Sequence, residues 1–398
     1  MKTKTVPIFL AFLCMGFGDV VGPLVGLVKE TFGLSYTMAQ LVPFVGFIMF
    51  AVLSVPMGIY QDKKGRKFIL VLGLVVALVG LLLPMLNGMY GPRVEFNPGE
   101  YFSYYVVLLS ILLLCAGATI LQVVGNPVMR DVSPEGKYSK NLALAQSIKA
   151  IGSSLGFLVP PLVAIAFGLE WSVLFPVFAF LIVITLVLAI PLKIQEQKDP
   201  NSRTASLKSC ASLLKNGFVF MMVLAIFVYV GAEVSMSSGV PIILKENFGV
   251  KGFSLWVSWA IFFLPIVLGR FGGSIILGWM SAKKFLVVTV FVAIVGVLTM
   301  FMANEVLTYV GIVLVGLGFA NIFPLVFSIT IDRMPERSNE LSGLMVMAIS
   351  GGAIVPLIMG KVSDSTNILV GFVVPLACLF YISFVSFATM RKAAATQH

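Results

Sequence analysis

Charge is scarce in this 398-residue chain. Only 11% of its residues are Asp, Glu, Lys or Arg, while 59% are hydrophobic. An average soluble domain is about 25% charged. A chain this apolar cannot cover a water-exposed surface with polar groups, which excludes a soluble globular protein. The composition predicts a polytopic helical membrane protein whose largest partner is the lipid bilayer.

Residues that carry enzyme and metal chemistry are also rare. The single histidine is His398, the last residue. The sequence has no phosphate-binding loop, no metal-ligand cluster and no nucleophile motif, so it indicates neither an enzyme nor a bound cofactor. Three of the four cysteines lie in apolar runs, and no disulfide framework is indicated.

A cleavage site is missing near the N-terminus. The segment 1–28 resembles a signal peptide, but no small-residue cleavage motif follows it and the apolar run continues past Asp19. We therefore expect an uncleaved first spanning helix.

Long apolar runs, by contrast, are frequent. A spanning helix needs about 20 mostly apolar residues. Twelve stretches qualify: 6–28, 38–61, 67–87, 103–129, 141–167, 171–192, 217–240, 254–280, 283–303, 306–332, 340–362 and 366–390. With the N-terminus inside, cytoplasmic segments hold 20 Lys and Arg and outer segments hold five. The positive-inside rule then predicts that both termini are cytoplasmic. The formal net charge of +10 follows from this topology and implies no nucleic-acid partner.

The longest cytoplasmic polar stretch divides the predicted spans into six and six. We expect an N-terminal bundle over 1–192, a linker over 193–216 and a C-terminal bundle over 217–398. The halves look related, because residues 150–154 resemble residues 348–352. Two parallel six-helix halves with a cavity between them are typical of transporters.

Only four charged residues lie well inside the predicted spans: Asp19, Lys149, Glu233 and Arg270. At about 1.5 Å per residue, Asp19 and Glu233 both lie near mid-membrane. An ionisable residue at that depth is costly and indicates a functional site. We predict a role in cation coupling for Asp19, Lys149 and Glu233. A structural ion pair of Glu233 with Arg270 is the alternative that we favour, and Lys149 can instead snorkel to cytoplasmic water.

Amide side chains also interrupt the apolar spans. They offer both donors and acceptors of hydrogen bonds, which suits the hydroxyl groups of a sugar. We predict substrate contact for four amides and one stacking aromatic ring: Gln122, Asn126, Gln146, Asn321 and Tyr229. The alternative for the amides is hydrogen bonding between helices, worth only ~0.6 kcal/mol on average.

A polar turn between the second and third spans carries the pattern G-x-x-x-D-x-x-G-R-K over residues 58–67. The Asp62 carboxylate can face a helix N-terminus, where the helix dipole favours an anion. We predict a gate formed by Asp62 and Arg66, which Arg130 and Asp131 can join. Positive-inside signalling is the alternative; it accounts for the neighbouring lysines but not for Asp62.

That turn resembles the signature loop of the major facilitator superfamily. Stretches in both halves resemble, more narrowly, the fucose permease and glucose/galactose transporter family: 121–128, 144–146, 229–233, 269–271 and 350–356. The resemblance covers nearly the whole chain. It implies an all-α fold of two pseudo-symmetric six-helix bundles that alternate access. It also implies import of a hexose or related neutral sugar by symport with a proton or sodium ion, by a protein that we expect to be monomeric.

Three positions depart from the pattern of that family. The fucose permease has an acid that is important for proton coupling where this chain has Gln122, and the family usually has Asn at the positions of Ala143 and Lys149. Asp19 matches the family's acid in the first helix. We predict that Lys149 pairs with Asp19 until the coupling cation displaces it.

Two other functions stay open. A drug/cation antiporter shares the same fold, but a cavity lined by amides rather than by Met and Phe argues against it. A non-transporting membrane sugar sensor is the second, and the sequence shows no signalling domain that would support it.

Overall fold

A computed structural model describes residues 6–93, 101–132, 138–192, 207–250, 253–302, 304–334 and 337–394. All regular structure in these residues is helical, and twelve helical stretches in them are long and apolar enough to cross a membrane. In chain order they are α1 (Val6–Phe32), α2 (Tyr36–Gln61), α3 (Arg66–Leu86), α4 (Phe102–Gly125), α5 (Leu144–Phe167), α6 (Trp171–Ala189), α7 (Gly217–Phe248), α8 (Ser254–Gly273), α9 (Ala282–Met300), α10 (Glu305–Arg333), α11 (Glu340–Ser365) and α12 (Ile368–Met390). The prediction of an all-α protein with twelve spans is confirmed.

Some helices are longer than their predicted spans. The helix of α4 continues to Val132 and that of α5 begins at Tyr138, while α7 ends at Phe248 and not at residue 240. Hydropathy marks only the part of a helix that suits hydrocarbon, so polar end turns escape it. A short helix, Leu207–Leu213, lies within the predicted linker, whose first part, 193–206, is outside the described residues.

The chain divides into two compact units. Unit 1 comprises residues 1–33 and 45–206, and unit 2 comprises residues 34–44 and 207–398. The boundary between residues 206 and 207 lies within the predicted linker. The other two enclose residues 34–44, because the first turns of α2 pack with unit 2.

In unit 1, α1 and α5 touch backbone to backbone. A Cβ atom on Gly152 of α5 would overlap the carbonyl oxygen of Leu13, and one on Gly16 of α1 would overlap the carbonyl oxygen of Lys149. From Gly16 to Val20, α1 changes to a 3₁₀ helix. Small residues permit this approach, and it brings the middle of α1 within side-chain reach of α5.

Unit 2 contains a matching contact between α7 and α11. A Cβ atom on Gly351 would overlap the carbonyl oxygen of Phe227. A 3₁₀ turn, Ala348–Ser350, precedes Gly351 in α11. The similarity of residues 150–154 and 348–352 therefore marks the same kind of close helix crossing in each unit.

The first turn of α2 is held by a carboxylate from the end of α11. Asp364 accepts hydrogen bonds from the backbone N–H groups of Tyr36, at 2.6 Å, and Thr37, at 2.8 Å. The Tyr36 hydroxyl donates to Glu246 of α7. The first N–H groups of a helix have no partner within the helix and carry the positive end of its dipole. We call this arrangement, all of it within unit 2, the Asp364 clamp.

Replacing Gly351 with Ala tests the close crossing in unit 2. The added methyl group must displace the α7 backbone at Phe227, so we expect a loss of roughly 1–3 kcal/mol, as in other overpacked sites. The measurement is thermal unfolding of the purified protein in detergent. Gly272→Ala is the matched control, because a Cβ atom there has nothing within 4 Å. Equal melting temperatures for the two variants would contradict the crossing.

Asp364→Ala tests the clamp. It removes the acceptor of two N–H groups, and we expect a loss of about 0.5–2 kcal/mol, as when a capping side chain is removed. Thermal unfolding again measures the effect. Asp332→Ala, an exposed carboxylate near the end of α10, should leave the melting temperature unchanged. An Asp364→Ala variant as stable as this control would show that the clamp does not stabilise the fold.

Candidate functional site

Three side chains meet in unit 1 at the middle of α1. Lys149 Nζ lies 3.3 Å from Asp19 Oδ2, and the Ser153 hydroxyl donates to the same oxygen at 2.7 Å. The side chains of Lys149 and Asp19 are 22% and 38% exposed, whereas Ser153 is only 4% exposed. We call these three residues the Asp19 cluster.

Local sequence explains why the cluster forms. Lys149 and Ser153 are four residues apart on α5, so they lie on the same face of the helix. Asp19 lies in the 3₁₀ segment of α1, directly after the glycine contact that brings the two helices together. Each side chain can therefore reach the carboxylate without an extended conformation.

The cluster is suited to binding and releasing a cation. Opposite charges attract more strongly in a membrane protein's interior than in water, so the ion pair holds Lys149 beside the carboxylate. A proton or metal cation that reaches Asp19 must compete with Lys149 for the same oxygen. The structure brings Asp19 and Lys149 together, as the pairing hypothesis requires, and their role in coupling stays a prediction.

Two of the predicted amides flank the cluster. On α4, the Cys115 thiol donates to the carbonyl oxygen of Gly18 at 3.7 Å, and Gly125 packs against Met15. Gln122 lies between these contacts and is half-buried, one turn beyond Ala118, the residue that packs against Gly18. Gln146 is exposed on α5, three residues before Lys149 and so on the same helical face. The side chain of a third, Asn126, lies outside the described part of the structure.

In unit 2, Glu233 of α7 pairs with Arg270 of α8. Arg270 Nη2 lies 3.9 Å from Glu233 Oε1, and Arg270 Nε donates to the carbonyl oxygen of Ala320 at 3.3 Å. This arrangement favours the structural ion pair over a second cation site. The arginine side chain is half exposed.

Asn321 and Tyr229 use their polar groups within unit 2. The helix of α10 is interrupted after Phe319, which leaves carbonyl oxygens without partners in the helix. The Tyr229 hydroxyl donates to Phe319 O at 3.0 Å, and the Asn321 amide donates to Gly269 O at 2.8 Å. Both residues are buried. These contacts favour the interhelical alternative for Asn321 and tie the Tyr229 hydroxyl to α10, and sugar contact by either residue stays a prediction.

Arg66 of the signature turn pairs with Asp131. Its Nη1 atom lies 2.7 Å from both carboxylate oxygens, and the Asp131 side chain is fully buried. Both residues belong to unit 1, so the pair holds the start of α3 to the end of α4. The side chains of Asp62 and Arg130 lie outside the described residues, and the gate stays a prediction.

Sequence reasoning missed Ser153 and Asp364. The signal for Ser153 was its position four residues after Lys149, on the same helical face. The signal for Asp364 was weaker, because nothing in the sequence connects the end of α11 to the start of α2. Among the described residues, no group of three or more His, Cys, Asp or Glu is placed to hold a metal ion.

Known proteins resemble this chain over almost its full length. A glucose/galactose transporter of Brucella abortus is 28% identical over 388 residues, which cover 94% of this chain and 91% of the relative. The L-fucose-proton symporter of Escherichia coli is 25% identical, over 92% of this chain and 88% of the relative.

Solved structures share the fold. A crystal structure of the E. coli fucose:proton symporter superposes with a TM-score of 0.67 at 20% identity, covering 98% of this chain and 99% of the symporter. A D-xylose-proton symporter gives a TM-score of 0.75 at 14% identity, with 96% of each chain covered.

A sequence profile that describes a whole protein family also matches this chain. The sequence profile of the Major Facilitator Superfamily matches residues 8–357. The matched part contains both members of each intramembrane ion pair, the second to the tenth predicted spans in full and most of the first and the eleventh. This chain belongs to the Major Facilitator Superfamily, a family of membrane transporters rather than enzymes.

Proposed function

We propose that this chain is a secondary active transporter that imports a hexose or related neutral sugar together with a proton or a sodium ion. The observation that carries the proposal is the Asp19 cluster, in which a carboxylate at the middle of one spanning helix pairs with a lysine of another. Relatives named as a glucose/galactose transporter and an L-fucose-proton symporter support the choice of substrate and of symport.

Cation binding and the position of Lys149 are linked in this proposal. Without the cation, Asp19 is ionised and holds Lys149 at 3.3 Å. When a cation binds the carboxylate, the attraction that holds the ammonium is lost. The Lys149 side chain, which is 22% exposed, is then released from the carboxylate.

The released ammonium can donate hydrogen bonds to sugar hydroxyls. Gln146 lies on the same face of α5, and Gln122 lies on α4 between its contacts with Gly18 and Met15. In this proposal the three polar side chains contact one small polyol. Because the cation releases Lys149 and the sugar binds the released form, each ligand favours binding of the other, as linkage requires.

The remaining features of the proposal concern the setting of the protein. Both termini are cytoplasmic, the protein lies in the bacterial inner membrane as a monomer, and it works without a cofactor other than the coupling cation. The excess of Lys and Arg in the segments assigned to the cytoplasm supports this orientation.

Asp19→Asn separates coupled uptake from exchange. The amide cannot take up a proton or hold Lys149 by charge, so we expect sugar accumulation against a gradient to be lost while exchange of labelled for unlabelled sugar continues. Proteoliposomes loaded with buffer or with sugar measure the two activities. Asp332→Asn, at the exposed end of α10, should retain both. Accumulation by Asp19→Asn would remove Asp19 from coupling and make Glu233 the next candidate.

Gln122→Ala tests the sugar site. Loss of one hydrogen bond with a buried partner costs ~1–3 kcal/mol, so sugar affinity should fall roughly 5- to 150-fold. Ligand-induced changes in melting temperature with D-glucose, D-galactose and L-fucose measure the affinity.

Thr119→Val is the matched control for Gln122→Ala, because the Thr119 hydroxyl lies on the same helix and donates to the Cys115 carbonyl of that helix. Its sugar affinity should equal that of the unchanged protein. If Gln122→Ala binds all three sugars as tightly as the control, Gln122 is not part of the sugar site.

A further inference from the structure

The Ser153 hydroxyl has two acceptors and one hydrogen. Its oxygen lies 2.7 Å from Asp19 Oδ2 and 3.2 Å from the carbonyl oxygen of Lys149, one turn earlier on α5. A hydroxyl can donate to only one acceptor at a time, but it can also accept. The direction in which the serine hydrogen points therefore depends on whether the Asp19 carboxyl group is ionised or protonated.

The ionised carboxylate is the stronger acceptor. Hydrogen bonds to a charged group are shorter and about twice as strong as neutral ones, and the 2.7 Å distance to Asp19 is the shorter of the two. While Asp19 is ionised, the serine hydrogen points to Asp19. The Lys149 carbonyl oxygen, at the longer distance, can accept the serine hydrogen when Asp19 no longer does.

Ser153 cannot easily withdraw from Asp19. Neighbouring Gly152 is in backbone contact with Leu13 of α1, and Gly16 is in backbone contact with Lys149 of α5. Ser153 is also the buried member of the cluster, whereas Lys149 is partly exposed. Lys149 is thus the partner that can leave, and Ser153 is the partner that stays.

We propose that Ser153 is a positioning residue that holds the Asp19 carboxyl group in both of its proton states. With Asp19 ionised, the hydroxyl donates to Oδ2. When a proton binds Oδ2 and Lys149 departs, the carboxyl O–H donates to the Ser153 oxygen, and the serine hydrogen turns to the Lys149 carbonyl. The Ser153 hydroxyl and Asp19 Oδ2 each keep a hydrogen-bond partner in both states. The inference rests on the proposed role of Asp19 in coupling and commits the coupling ion to a proton.

Other groups around Asp19 limit what else can titrate there. From α5 the described titratable neighbour is Lys149, and from α4 it is Cys115, whose thiol donates to Gly18 O. From α6 the packed side chain is Phe178, which stacks on Phe17 with ring centroids 4.0 Å apart. A change at Ser153 should therefore act on the proton at Asp19.

The test measures how proton-driven uptake of labelled sugar into proteoliposomes depends on external pH. Ser153→Ala removes a stronger bond from the ionised carboxylate than from the protonated one, so the carboxyl group retains its proton to higher pH. We expect the midpoint of the profile to move upward by about 0.5–1 pH unit. Ser153→Thr keeps the hydroxyl and should restore the midpoint.

Ser154→Ala is the matched control, because this neighbouring hydroxyl donates to Ala150 O within α5 at 2.9 Å. Its midpoint should equal that of the unchanged protein. Sugar exchange, which needs no ion gradient, verifies that each variant is folded.

The outcomes separate the two proposals. If the unchanged protein fails to accumulate sugar, or if Asp19→Asn accumulates it, the proposed function is wrong. If those two behave as expected, three results overturn the role of Ser153 alone. They are an unshifted midpoint in Ser153→Ala, a rate lowered equally at every pH as a packing defect would produce, and uptake that depends on sodium and not on pH.

Discussion

Backbone contact between α1 and α5 is the constraint on which the candidate site depends. Gly16 and Gly152 let two helices approach until a single methyl group would overlap a carbonyl oxygen of the other. At that separation a serine on one helix reaches a carboxylate on the other with an ordinary rotamer, and a lysine one turn away reaches the same oxygen. With wider spacing between the helices, Asp19 would face hydrocarbon or water and not Ser153 and Lys149.

In each unit an acidic residue follows a close helix crossing, but the basic residue that pairs with it comes from a different helix. Asp19 lies six residues after Leu13, and Glu233 lies six residues after Phe227, so the two acids follow equivalent backbone contacts. In unit 1 the base comes from α5 and, in the proposed function, competes with an incoming cation. In unit 2 the base comes from α8 and also donates to the interrupted part of α10 at Ala320. One acid is therefore placed to exchange partners, while the other belongs to a network that supports a helix break.

Hydropathy and rare intramembrane charges predicted the twelve spans, and they identified both residues of each ion pair. They could not predict which amides face other helices. Asn321 and Gln122 look alike in sequence, yet Asn321 donates to a carbonyl oxygen of α8, because glycine at positions 269 and 273 lets the two helices close on it. Ser153 could not be predicted as a member of the site, because a serine in a helix can hydrogen-bond to a carbonyl oxygen of its own helix. Its bond to Asp19 depends on a residue that is distant in the sequence.

The division of α2 between the two units has a consequence for biosynthesis. Residues 34–44 are made early, but they pack with helices that leave the ribosome much later, and Asp364 of the clamp comes more than 300 residues after Tyr36. The start of α2 must therefore wait in the membrane without its final partners until α11 has been inserted. A fragment that ends at the linker would leave this segment without them permanently. The two halves thus complete their folding together, although the chain is built as a repeat.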